Sequence, residues 1–254
     1  MSSETGNAGL ASKRLAASID KSRGLFRELL VRLVPASGAS LDQYNRYLTM
    51  QFHLTREVQT YFIAAAGHRD LARRRQLRRF LTEFANEEEL HYLVAANDLS
   101  ALGMEVGPTP IDVVLWHSYF KSIVAQRPFI RLGAACILEN ISGGEARSET
   151  NRALKAPFLT RANSKFLVLH QHETLPHGDQ ILDALDRANL TDEHLADLEF
   201  GASVGTVIYL RMAEWALDPS TLSALADTQD TVDAEERNRI SRTAVAADQS
   251  VSIA

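Results

Sequence analysis

Apolar residues recur along this chain every three or four positions, the period of one helix face, and no stretch alternates every second residue as a half-buried strand does. The first such face runs over about residues 8–34 and stops at Val34-Pro35-Ala36-Ser37-Gly38. Ser40 then predicts a helix start, with Gln43 three residues on as its capping-box partner. Tyr44, Leu48, Phe52, Val58 and Phe62 carry that helix to about Ala66, and Gly67 ends it. A long helix over about 69–102 follows, closed by Leu102-Gly103, with Pro108 and Pro110 in the next loop. Helices over about 111–126 and 128–142 come next, the second opened by Pro128 at its first position. Gly143-Gly144 breaks the chain before a shorter helix at about 145–156 and a long one at about 163–188. Thr191 caps the last, about 192–217, which Asp218-Pro219 terminates.

This pattern predicts an all-α protein of about seven helices, packed as one bundle-like domain over residues 40–218 behind an N-terminal helix or arm at 1–39. Residues 219–254 lose aromatics and gain Ala, Asp, Thr and Ser, as a flexible tail does. The 254 residues are enough to bury a substantial core. With 27 basic against 32 acidic residues, the net charge of −5 argues against nucleic acid or an anionic membrane as partner. The single cysteine, Cys136, excludes an intrachain disulfide and cysteine-rich zinc or iron–sulfur sites. No apolar run approaches the ~20 residues of a membrane span. The start, Met1-Ser2-Ser3-Glu4, lacks a signal peptide's basic and apolar regions, so a cytoplasmic protein is expected.

Three places along the chain hold side chains suited to a metal. Glu88 and His91 stand three residues apart, which puts both on one helix face, although an acidic surface turn with an incidental histidine has the same spacing. Glu139 lies in Gly133-Ala134-Ala135-Cys136-Ile137-Leu138-Glu139, where every neighbour is small or apolar; a carboxylate facing a core needs a partner, a proton or a metal. Arg131 and Arg147, about two turns to either side, are not obvious partners for it. His170, Thr174 and His177 fall within about 60° of one another on a helical wheel, with Pro176 interrupting the backbone beside them. Glu88, His91, Glu139, His170 and His177 together offer carboxylate oxygen and imidazole nitrogen without thiolate, which suits non-haem iron or manganese better than zinc. The six arginines between Arg69 and Arg79 read as a solvated helix face, and Trp116, Tyr119, Phe120 and Phe129 as core.

At these residues the chain resembles the heme-oxygenase-like diiron oxidases and oxygenases, over about Tyr44 to Leu217. Four stretches carry the likeness: Tyr44-Asn45-Arg46-Tyr47 through His53, Glu87-Glu88-Glu89-Leu90-His91 running into Asp98-Leu99 and Leu102-Gly103, Leu132-Gly133 through Glu139, and Phe166-Leu167-Val168-Leu169-His170 through His177. The resemblance implies a single-domain heme-oxygenase-like bundle with iron ligands at Glu88, His91, Glu139, His170 and His177. Some relatives take their first glutamate at the position of Phe84, which leaves Glu88 as the candidate here and Glu87 as the fallback. The family usually has aspartate where this chain has Thr174, so of two expected ferrous ions the second is in doubt.

The implied activity is that of a non-haem iron oxidoreductase using O2 on a small amino acid, amine or carboxylic acid, in a biosynthetic pathway. Arg147, Arg152 and Arg211 are the candidates to hold a substrate carboxylate. Partners are then a small-molecule substrate and, on base rates, a second copy of the chain. The alternative is a metal-free helical binding or thiaminase-like domain on the same fold. A haem-degrading oxygenase would need His53 as its proximal ligand, and a ferritin-like centre would recruit Glu57.

Overall fold

The computed structural model describes residues 9–169 and 177–220. Among the described residues every regular element is helical. The first is α1 (Leu10–Leu33), whose Ala11, Leu15, Ile19, Phe26, Leu29 and Leu30 recur every three or four residues and form its buried face. α2 (Leu41–Thr55) opens with the expected capping box: Ser40 Oγ accepts from the Gln43 amide at 3.2 Å, and Gln43 Oε1 accepts from the Ser40 amide at 2.9 Å. The same Gln43 uses its Nε2 to donate to the carbonyls of Leu33 and Leu217, satisfying the ends of two other helices.

Two helices expected to be continuous are interrupted. Thr55 Oγ1 donates back to the Gln51 carbonyl at 2.8 Å, a contact that bends helices, and the chain restarts as α3 (Val58–Gly67). The stretch 69–102 divides into a 3₁₀ turn at Arg69–Leu71, α4 (Arg75–Glu88) and α5 (His91–Ala101). The first break is tertiary in origin. Arg74 leaves helical geometry, and its guanidinium donates to the carbonyls of Asp70, Ala188 and Asn189. The second falls at Glu89-Leu90, between the two expected ligands.

α6 (Ile111–Val124) and α7 (Pro128–Leu138) follow, the latter with Pro128 at its start as expected. α7 ends four residues early because Asn140 turns back to donate from Nδ2 to the Cys136 carbonyl. A 3₁₀ turn at Gly144–Ala146 leads into α8 (Arg147–Ala153). α9 (Lys165–Leu169) and α10 (His177–Asp186) flank residues 170–176, which lie outside the described set, as do residues 221–254 of the expected tail. α11 (Asp192–Leu217) opens at Thr191, again with a capping box.

The core is organised around α7 and α11, which approach at backbone distance. A Cβ on Gly133 would sit 2.0 Å from the Leu198 carbonyl oxygen, and one on Gly201 would sit 1.9 Å from that of Ile130. Only glycine permits this contact. α1 lies against α11 and α10, and α3 against α4. A smaller apolar cluster of Tyr44, Leu48, Ala95, Leu99 and Phe166 joins α2, α5 and α9. Buried Asp98 fixes that last helix by accepting from the Phe166 amide at 2.8 Å, four residues ahead of His170. Among the described residues no helix is long and apolar enough to cross a membrane.

Candidate metal centre and its cavity

Four of the five expected ligands are described, and each stands at a helix end. Glu88 is the last residue of α4, His91 the first of α5, Glu139 the cap after α7, and His177 the first of α10. They converge. His91 Nδ1 donates to Glu88 Oε2 at 2.6 Å, and His177 Nδ1 lies 2.9 Å from Glu88 Oε1 and 3.7 Å from Glu139 Oε2. The two imidazoles stack, centroids 6.3 Å apart and 12° from parallel. Phe84 packs its ring against His177 at 4.7 Å, so the residue at the family's alternative glutamate position forms a wall. Glu88 and His177 are buried, whereas the neighbouring Glu87 side chain is 58% exposed and reaches only to 3.9 Å from His177 Nε2. Glu88, not Glu87, faces inward. His170 and Thr174 fall outside the described residues.

The electrostatics follow from that packing. Burial pushes the Glu88 carboxyl up, but the imidazoles of His177 and His91 outweigh it and hold it at about 2. Burial works against the charged form of His177, yet Glu139 and Glu88 win and raise it to about 10. Among the described residues no lysine or arginine forms an ion pair with either carboxylate. Nor is any group of three or more His, Cys, Asp or Glu arranged there as a ready metal-binding cluster. The Glu–His contacts link the four side chains. The donor set nevertheless fits a divalent cation. Two ligands at right angles, each ~2.1 Å from a metal, are separated by roughly 3 Å, and the contacts of 2.6, 2.9 and 3.7 Å bracket that spacing.

Glu88 and Glu139 line a cavity of about 180 Å³, bounded elsewhere by residues such as Tyr47, Trp116, Arg131 and Tyr209. At ~15 Å³ per water-sized sphere, this holds a ligand of roughly a dozen heavy atoms. Most of the wall is apolar, as a small-molecule site requires.

No protein-family model matches the chain, and no curated protein matches it. A solved structure does: a domain of unknown function with a heme oxygenase-like fold from Shewanella denitrificans, with a TM-score of 0.66 over 82% of this chain and 91% of that one, at 18% identity. The chain has a heme oxygenase-like fold.

Within this heme oxygenase-like bundle the other expected site residues lie elsewhere. His53 has both ring nitrogens engaged, Nε2 with the Gly107 carbonyl and Nδ1 with Thr109 Oγ1, which leaves no nitrogen for a haem iron. Glu57 pairs with Lys121 at 2.6 Å, away from the cluster. Of the three arginines expected to hold substrate, none lines the cavity. Arg147 is exposed, Arg152 donates to the carbonyls of Leu30 and Val34 at the end of α1, and Arg211 pairs with Asp112 at 2.9 Å. The arginine on the cavity wall is Arg131, about two turns from Glu139 and not an obvious partner for it from the sequence. Its signal was the lone charge in Pro128-Phe129-Ile130-Arg131-Leu132-Gly133.

Behind Arg131, Tyr61 donates its hydroxyl to His117 Nδ1 at 2.6 Å, so His117 carries its proton on Nε2 and donates to the His53 carbonyl. Burial lowers the His117 pKa, and nearby Lys121 and Arg131 act in the same direction against that carbonyl and Glu57. The unfolded chain therefore binds a proton in a range where the folded one does not. The His117 contribution to stability is therefore full above about pH 6.5 and falls as the pH drops below it. Denaturant midpoints at about pH 7.5 and about pH 5 check this. The decline should be smaller in His117→Gln, and equal declines would show that His117 does not contribute.

Proposed function

We propose that this protein is a non-haem, iron-dependent oxidase or oxygenase that uses O2 on a small amino acid, amine or carboxylic acid in biosynthetic metabolism. One observation carries the reading. Two carboxylates and two imidazoles, brought from four separate helix ends, form a run of contacts at 2.6, 2.9 and 3.7 Å, and both carboxylates line a ligand-sized cavity. The likeness to heme-oxygenase-like diiron enzymes supplies the rest, including His170 as a fifth ligand. Glu88, His91, Glu139 and His177 would hold the ion, with room for a second depending on the stretch around Thr174.

Iron supplies, when bound, the redox chemistry with O2 that no side chain here can perform. The chain's own contribution is different. Glu88 and Glu139 bring two negative charges to the cation, His91 and His177 bring neutral donors, and the apolar wall keeps water from competing with substrate. Oxygen uptake tests the proposal. Iron-loaded protein should consume O2 faster when a panel of small acids, amines and amino acids is added, and zinc-loaded protein should not respond. Iron-loaded protein that shows no substrate-dependent uptake with any of the panel would favour the metal-free reading of the same cavity.

A further inference from the structure

We propose that Arg131 anchors the anionic head of the substrate, which makes the substrate of this cavity a small, largely apolar monocarboxylic acid. The inference deepens the function proposed above and rests on this cavity being the substrate site.

Arg131 is 1% exposed, in the middle of α7, and yet it reaches the cavity wall. Its guanidinium carbon lies over four rings, at 4.9 Å from the centroid of Tyr61, 5.4 Å from Phe62, and 5.5 Å from Trp116 and Phe120. Aromatic faces offset the positive charge. They offer nothing to N–H groups that point outward in the guanidinium plane. Among the described residues, Nε and Nη1 are buried with no hydrogen-bond acceptor, and no ion pair to a carboxylate forms. Burial lowers the guanidinium pKa to about 10 despite the opposing influence of Tyr61 and Glu139, so the group stays charged at neutral pH.

A buried cation with idle donors is an unusual thing for a fold to keep. Packing alone would be served by methionine or leucine. A carboxylate supplies what is missing, since it takes two parallel bonds from a guanidinium and neutralises it. The carboxylates already in the cavity cannot do this, because Glu88 is engaged by two imidazoles and Glu139 stands beside His177. Of the rings around Arg131, only Trp116 also reaches the cavity. The other three rings lie away from the cavity, on whose wall Arg131 stands. With Glu88 and Glu139 paired with the histidines, Arg131 is the wall charge left to a ligand, and in a mainly apolar chamber it selects one negative charge on an apolar body over an amine.

Calorimetric titration of the iron-free protein tests the assignment without involving the metal. The probes are octanoate and phenylbutanoate, each paired with the alcohol of the same skeleton. The acids should bind stoichiometrically, about tenfold or more tighter than their alcohols. Arg131→Met, which keeps the packing against the rings, should lose that preference, and Arg131→Lys should retain part of it. Equal affinity for acid and alcohol in the wild-type protein, no binding of either acid, or an undiminished preference in Arg131→Met would overturn the proposal. The wild-type comparison decides even where a variant does not fold. Ferrous iron affinity, measured separately, should be unchanged in Arg131→Met. An acid preference without iron binding would sink the iron reading alone, and iron binding without an acid preference would sink the anchor alone.

Discussion

Replacing Glu88 with glutamine is expected to lower ferrous iron affinity at least about 100-fold while leaving the helical content unchanged. Glu88 is the group on which both described imidazoles converge, with one of its oxygens facing each ring. Glutamine keeps the shape and one oxygen, so the packing of α4 against α10 survives. The lost charge removes the main attraction for a divalent cation in a buried place, where few other charges compensate. Alanine at the same position should match this loss of iron. It should also cost about 1–3 kcal/mol of stability, because His91 and His177 lose the oxygens that face them. The control is Glu87→Gln. Its side chain points outward, 58% exposed, and its loss should leave iron affinity within a fewfold of wild type. Anaerobic equilibrium dialysis followed by metal analysis reads all three variants. Wild-type affinity in Glu88→Gln would remove this residue from the centre.

The largest effect on stability is expected at Gly201. Its missing side chain lets α11 lie against the backbone of α7, where any Cβ would overlap the Ile130 carbonyl oxygen at 1.9 Å. That obstacle is backbone, with no rotamer that could move aside. Gly201→Ala must push the two helices apart along the main seam of the core, at a cost of about 3 kcal/mol or more. Gly133→Ala should behave alike, since its Cβ would meet the Leu198 carbonyl oxygen at 2.0 Å from the other side of the seam. Glu139 caps the end of α7, so either variant should also weaken iron binding. Gly67→Ala, with nothing near the added carbon, is the neutral control. Denaturant midpoints of the variants provide the check. An unaltered midpoint in Gly201→Ala would mean that the helices are not in contact there.

Much of this was legible in the chain, for identifiable reasons. Ser40 and Gln43 announce a helix start because the capping box is a local device, and both of its bonds are present. The pairing of Glu88 with His91 was legible from spacing alone, although the helix assumed to carry both breaks between them. It survives because a short interruption leaves the two side chains on the inner side. The breaks themselves were hidden, since Arg74 leaves the helix to reach carbonyls more than a hundred residues away. For the same reason, Arg152 read as a possible substrate ligand and turned out to finish the end of α1. Arg131 shows the limit most clearly. Its sequence neighbours mark it as out of place, but the four rings that surround it come from α3 and α6, which only the folded chain brings to it.

The central claim is that Glu88, His91, Glu139 and His177 form an iron centre. The most direct test is an anaerobic ferrous iron titration of the metal-free wild-type protein, with bound iron counted by metal analysis and the optical spectrum followed on admitting O2. The account predicts iron retained at one or two ions per chain, and an absorption change that appears only when iron and O2 are both present. A protein that retains no iron above background would contradict it.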